Sequence, residues 1–119
     1  MFKELLQEVV DNTQGATAAL VMGYNGIVLE SYVGNEHGAN IETIGMEYSV
    51  VLTQIQQAAE MLEVGAAQEV AMQAEHMTTV VRLLNQEYFV AITLVPGGNS
   101  GKARYLLRTK APILLEALV

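Results

Sequence analysis

The chain has no cysteine and no tryptophan, only two prolines, and only two histidines in 119 residues. Without cysteine there is no disulfide framework, no thiolate nucleophile and no thiolate metal ligand. His37 and His76 lie far apart with no ligand-like spacing, so a metal centre, which draws on several convergent imidazoles or thiolates, is not expected. Asp11 is the sole aspartate, and no base stands where a third group could orient it, so a nucleophilic triad is not expected either. No apolar run reaches the eighteen or so residues of a membrane span. Phe2-Lys3-Glu4 enters a helical pattern instead of the basic-then-apolar layout of a signal peptide. The expected location is therefore cytoplasmic.

Positive charge is also scarce. Thirteen acidic residues face six basic ones, for a net charge of −7. A phosphate backbone or an anionic lipid surface would repel such a chain, so neither nucleic acid nor membrane is an expected partner. Lys102, Arg104, Arg108 and Lys110 hold four of the six cations. They read as a solvated helix face, or, through Lys102, Arg104 and Arg108, as a docking patch for an acidic partner.

What the chain has in quantity is apolar surface. Half of it is hydrophobic and 16% is charged, enough for one core, with surplus to offer a partner. The length suits a single domain spanning 1–119.

Phe2, Leu5, Leu6, Val9 and Val10 recur at helical spacing, with Gly15 expected to end that helix after Asn12, Thr13 and Gln14. Two strand-like runs follow, Ala16 to Met22 and Ile27 to Val33, joined through Gly23-Tyr24-Asn25-Gly26, a hairpin signal because Asn and Gly both tolerate positive φ. The first run is apolar on both faces and needs layers above and below it. The second, with Glu30 and Ser31, suits an edge.

Gly34 to Asn40 reads as a loop containing His37, and Ile41 to Val64 as a long helix stopped by Gly65. Ile44, Tyr48, Val51, Leu52, Ile55, Ala58, Ala59 and Leu62 form its expected core stripe. A second stripe, Met46, Val50, Thr53, Gln57 and Met61, runs along another face where a helix covering its own sheet should be strongly polar. That face is expected to meet a second molecule.

Ala67 to Ala74, Met77 to Leu84 and Tyr88 to Val95 are strand candidates, with His76 in the turn between the first two. The last is nearly all apolar and reads as central. The first, with Gln68, Val70 and Met72 on one side, reads as an edge that pairs with something. After Pro96-Gly97-Gly98-Asn99-Ser100-Gly101, a closing helix begins with Asn99 or Ser100 as cap. At Pro112 it either kinks or gives way to a new helix.

The segment Gly97 to Ala103 does not make a phosphate loop. Pro96 stands where the first glycine is required, and Ala103 replaces the hydroxyl residue that would hold magnesium. Arg82, Arg104 and Arg108 are candidates for stabilising a phosphoryl group in transfer, but pairing with the abundant glutamates is the simpler expectation. No catalytic residue and no cofactor is expected.

The order is helix, two strands, long helix, three strands, helix: an α/β (α+β) domain with antiparallel pairing and helices on both faces. This order, the Asn25-Gly26 hairpin, the two-faced helix and the stretch Asn99-Ser100-Gly101-Lys102-Ala103-Arg104 resemble the roadblock/dynein light-chain family. The resemblance implies a roadblock/profilin-like fold, a five-stranded antiparallel sheet with the long helix on one face and the terminal helices on the other. It also implies a homodimer in which third strands pair edge to edge and long helices pack together, and a small Ras-like GTPase as partner, as for bacterial members that act in polarity and motility. The residues assigned to that interface are Met46, Val50, Thr53, Gln54, Gln57, Met61, Gln68, Val70 and Met72. The long helix carries the bulky residues Tyr48, Val50, Gln54, Gln56 and Gln57 in its partner-facing stretch, which leaves a scaffold without a GTPase as the alternative.

Overall fold

A computed structural model of the chain describes residues 2–35 and 40–118. His37 and most of its expected loop lie outside the described residues. The elements are α1 (Phe2–Asp11), β1 (Ala16–Gly23), β2 (Val28–Val33), α2 (Ile41–Met61), β3 (Glu69–Gln73), β4 (Thr78–Leu83), β5 (Tyr88–Leu94) and α3 (Ser100–Ala117). The strands form one antiparallel sheet in the order β2-β1-β5-β4-β3. The nearly all-apolar β5 is central, and β2 and β3 are the edges, as their mixed compositions require.

The period-two alternation of the strands divides the core into two layers. Ala19, Val21, Val80, Val90 and Ile92 point to one face, where Leu6, Val9 and Val10 of α1 and Ala103, Leu107 and Leu114 of α3 cover them. Ala18, Leu20, Met22, Val81, Phe89 and Ala91 point to the other, beneath Ile41, Ile44, Tyr48 and Leu52 of α2. The β-branched residues of α2 each cost a few tenths of a kcal/mol of helix propensity, whereas burying Ile44 or Leu52 contributes roughly 1.5–3 kcal/mol each. Packing on the sheet therefore decides that this segment is a helix. Gly45 sets how closely it lies, because a Cβ there would come within 2.9 Å of the Met22 methyl and 3.1 Å of Leu20.

The ends of α2 depart from expectation. Asn40 caps the start, its side chain accepting from the amides of Glu42 and Thr43 at 2.8 and 3.2 Å. The helix then stops at Met61, before the expected Val64. The amide of Val64 donates to the Ala59 carbonyl and that of Glu63 to the Glu60 carbonyl, the paired bonds of a Schellman terminus. The left-handed residue that closes it is Glu63, at φ 56°, and Gly65 (φ 87°) falls two residues later. Val51, Ala58 and Leu62 also leave the expected core stripe: all three are exposed. At about 100° per residue, Val51 and Ala58 rotate to the flank of the sheet-facing line, and Leu62 is the cap itself.

Other boundaries shift for local reasons. Helix α1 ends at Asp11, with the Thr13 hydroxyl donating to the Val9 carbonyl at 2.7 Å. In the first hairpin only Gly26 takes a positive φ, of 87°. The Gly26 amide donates to Gly23, and the Gly23 amide to Ile27, a type I turn followed by a left-handed glycine, with no mirror-image turn. Strand β2 accordingly begins at Val28. The Ala74 amide donates to the Met77 carbonyl, so the turn through Glu75 and His76 trims β3 and β4. Asn99, and not Ser100, caps α3, accepting from the Lys102 amide at 3.0 Å. Pro112 lies inside one continuous helix, at an exposed position.

Two measurements test this account. Glu63→Gly removes a side chain from a left-handed position and should stabilise the fold by about 0.5–1 kcal/mol, read as a higher denaturant midpoint at unchanged slope. Tyr24 packs on Phe89 with ring centres 5.4 Å apart and donates to the Asn85 carbonyl at 3.2 Å, and burial pushes its phenol up to about 12. Since the folded value lies above the ordinary one of about 10, the unfolded chain ionises first. Stability present below pH ~10 should then decline toward pH 12, and Tyr24→Phe should flatten that decline in chemical denaturation across the window.

Candidate partner-binding face

The second stripe of α2 stands opposite the sheet-facing one. Met46, Val50, Thr53, Gln54, Gln57 and Met61 are all exposed, with Met46 at 58%, Val50 at 61% and Met61 at 84%. The reason is angular: the core line through Ile44, Tyr48, Leu52 and Ala59 is satisfied by the sheet, and this stripe lies half a turn away from it. Tyr48, expected both in the core stripe and among the bulky residues of the partner-facing stretch, is buried against the sheet as the core stripe requires, and Gln56 is half-buried. The bulky outward residues of that stretch are Val50, Gln54 and Gln57.

Among the described residues strand β3 is hydrogen-bonded only to β4, so its other edge offers unpaired backbone. The register Val70↔Val81 directs Val70 to the α2 side of the sheet, where it packs on the core at half burial. Met72 follows on the same side, 48% exposed, and Gln68, just before the strand, is exposed. The three exposed methionines of the described chain thus fall on α2 and β3. Methionine is the unbranched, polarizable side chain that adapts to a partner surface.

The cations of α3 divide into two pairs. Arg104 holds Glu69 of β3 through Nη2 at 2.7 Å and Nε at 2.9 Å, and this hydrogen-bonded carboxylate raises the guanidinium pKa. Lys110 holds Glu8 of α1 at 2.9 Å. These two tie the helix to its neighbours. Lys102 is exposed, and Arg108 lies over the Tyr105 ring at 5.7 Å. Arg82, half-buried on β4, stands opposite Glu69 in the strand register. It lines a hollow of about 970 Å³ with Gln56, Glu60 and Glu63 of the α2 end and Ala111 and Leu115 of α3. This concavity was not readable from the sequence, since it forms where three separated segments meet.

The glycines before α3 have packing roles. A Cβ on Gly15 would lie 2.6 Å from the Gly98 Cα, and across that close approach the Asn99 amide donates to the Gln14 carbonyl and the Val95 amide to the Gly15 carbonyl. The segment anchors the chain leaving α1. Among the described residues no three His, Asp or Glu side chains gather as a metal site, and no described helix is long and apolar enough to cross a membrane.

No family profile matches the chain. No curated protein matches it either. Solved structures do. A Roadblock/LC7 domain from Streptomyces avermitilis superposes with a TM-score of 0.84 at 12% identity, over 98% of this chain and 96% of that one. The gliding protein MglB from Thermus thermophilus gives 0.83 at 20% identity, over 95% and 84%. Those two likenesses establish the fold. MglC from Myxococcus xanthus reaches 36% identity over 96% of both chains, with a TM-score of 0.69. Identity at that level across 96% of both chains is more than shared topology: the chain belongs to the Roadblock/LC7 domain family and is related to the MglB and MglC proteins.

Proposed function

We propose that this chain is a dimeric regulator or adaptor that binds a small Ras-like GTPase, using the outer stripe of α2 and the free edge of β3 to pair with a second copy. One observation carries the reading: Met46, Val50 and Met61 form an apolar line on the side of α2 turned away from the sheet, at exposures of 58, 61 and 84%. A lone domain has no use for such a line, and burying it against another chain contributes in proportion to its area. The open edge of β3 adds a second means of pairing, by continuing the sheet. The relation to MglC and MglB supports a regulatory role, and the GTPase partner follows from the family resemblance. Lys102 and Arg108, the cations of α3 not tied to a carboxylate among the described residues, are the proposed contacts for an acidic partner surface.

A second reading, a dimeric scaffold with no GTPase partner, is favoured by Val50, Gln54 and Gln57, whose bulk on the outer stripe limits close approach by another helix. Loading the Ras-like GTPases of the native cell with GTP or GDP and measuring capture separates the two. Preference for one nucleotide state supports the regulator, and equal capture of both forms by every candidate supports the scaffold.

The dimer has its own test. Val50→Arg places a charge on the apolar line without touching the core, so the thermal midpoint should hold while the dimer dissociation constant rises at least about tenfold, ~1.4 kcal/mol. Sedimentation velocity across a concentration series reads this directly. A wild-type chain that stays monomeric, or a variant that dimerises as well as wild type, overturns the interface.

A further inference from the structure

Helix α3 and strand β3 are joined at one carboxylate. Both bonds that Arg104 makes to Glu69, from Nη2 at 2.7 Å and from Nε at 2.9 Å, end on the same oxygen, Oε2. Oε1 of Glu69 has no partner among the described residues. A second guanidinium stands one rung away. Arg82 lies directly opposite Glu69 in the β3–β4 register, where Cβ atoms are about 4.5–5.5 Å apart. The two side chains share a face of the sheet, because Val90, next to Arg82 on β5, belongs to the layer beneath α1 and α3. Arg82 is half-buried and has no ion-pair or hydrogen-bond partner among the described residues, although it lines the hollow with Glu60 and Glu63. Two guanidiniums therefore flank Glu69, and one is engaged.

That surplus changes what Arg104 is free to do. Its side chain is 56% exposed even while it holds Glu69. Arg108 follows one turn on and about 40° around α3 from Arg104, whereas Lys102 stands on the opposite flank, roughly 160° away. Arg104 and Arg108 thus form an exposed pair of guanidiniums on the side of α3 turned to β3. The planar fork of arginine matches a carboxylate, which two such side chains can hold bidentately. A carboxylate arriving from another protein competes with Glu69 for Arg104. Taking Arg104 away from a part-buried Glu69 is unfavourable when nothing replaces it, and Arg82 is the replacement within reach.

We infer that Arg104 and Arg108 form a docking site for a carboxylate-bearing segment of a partner protein, and that Glu69 passes from Arg104 to Arg82 when that segment binds. The inference rests on the reading of the α3 cations as contacts for an acidic partner. It adds Arg104 to that surface and makes Arg82 a positioning residue for it.

The test follows the guanidinium Nε–H signals of Arg82, Arg104 and Arg108 by nitrogen NMR, each assigned by one substitution. The probe is a hexaglutamate peptide, acetylated and amidated, at about 20 mM salt, where charge contacts are little screened. In the chain without peptide, Arg104→Gln should slow exchange of the Arg82 Nε–H with water at least about threefold, as Arg82 takes up Glu69. Glu69→Gln should abolish that slowing. Peptide added to the wild-type chain should slow Arg82 in the same way while shifting the Arg104 and Arg108 signals. Glu69→Gln, which frees Arg104, should tighten the peptide about threefold, and Arg82→Gln should weaken it about threefold. Glu60→Gln, an equal change of charge beside the same hollow, should leave the affinity unchanged.

An Arg82 signal whose slowing survives Glu69→Gln but is lost in Glu60→Gln or Glu63→Gln gives Arg82 to the hollow's own carboxylates and overturns the transfer. A response of the peptide to Glu60→Gln as large as that to Glu69→Gln reduces the effect to net charge and overturns it as well. Peptide that shifts Arg108 while Arg104 and Arg82 stay as in the free chain overturns the inference and leaves the acidic-partner reading standing. Displacement of Arg104 by inorganic phosphate as readily as by the peptide overturns the protein carboxylate as the occupant. Absence of binding to both wild type and Glu69→Gln overturns the acidic-partner reading itself.

Discussion

The pairing of β1 with β5 is the constraint from which the remaining architecture follows. It joins residues about seventy positions apart in the chain, Leu20 to Ala91, Val21 to Val90 and Met22 to Phe89, and all six are fully buried. Without it the chain is a separate hairpin and a three-stranded meander, each with an apolar face too small to hold alone. With it, the central strands become apolar on both sides and water must be excluded from both. Two helical layers are then obligatory. The first comes from the ends of the chain, α1 and α3, tied to each other through Lys110 and Glu8 and brought together where Gly15 meets Gly98. The second has one source, α2.

That single helix has a double duty, and its composition records it. Its sheet-facing line is apolar because β1, β5 and β4 require a cover, and the absence of a side chain at Gly45 lets it settle onto Met22 and Leu20. Its outer line is apolar although nothing among the described residues lies over it. A helix serving only its own sheet would carry charge there at no cost in stability. The same economy applies to β3: its inner edge is used by β4, Arg104 of α3 grips Glu69 from one face, and the outer edge remains open. The interior of the domain and the proposed partner-binding face are thus consecutive layers on one scaffold. The packing that orders the first positions the second.

Charge follows the same division. The cations cluster on α3, where two hold the domain together and two face outward, while the only charged residues within α2 and β3 are glutamates. Net charge alone, at −7, describes neither surface. What a partner meets is a face, and most of the chain's cations lie with α3 on one face of this sheet.

By itself the sequence determined the number, kind and order of the elements, the central place of β5, the edge character of β2 and β3, and the two-sided character of α2. These follow from period and composition, which act over a few residues and need no knowledge of what lies elsewhere in the chain. It was less exact wherever two local signals competed. Gly65 signals a helix stop, yet the stop came at Glu63, because the bonds to Ala59 and Glu60 close the helix two residues sooner. Val51 and Ala58 are apolar at nearly the right spacing, yet at about 100° per residue they turn to the flank of the line through Ile44, Tyr48 and Leu52. Tyr48, which the sequence placed both in the core stripe and in the partner-facing stretch, is buried on the core line. Tertiary structure alone decided which cations are tied, to Glu69 and Glu8, and which are free, that Gly15 and Gly98 must touch, and that Glu63, Arg82 and Leu115 share one hollow. Each of these joins residues from separate elements, and only the closing of β1 against β5 sets the distances between them.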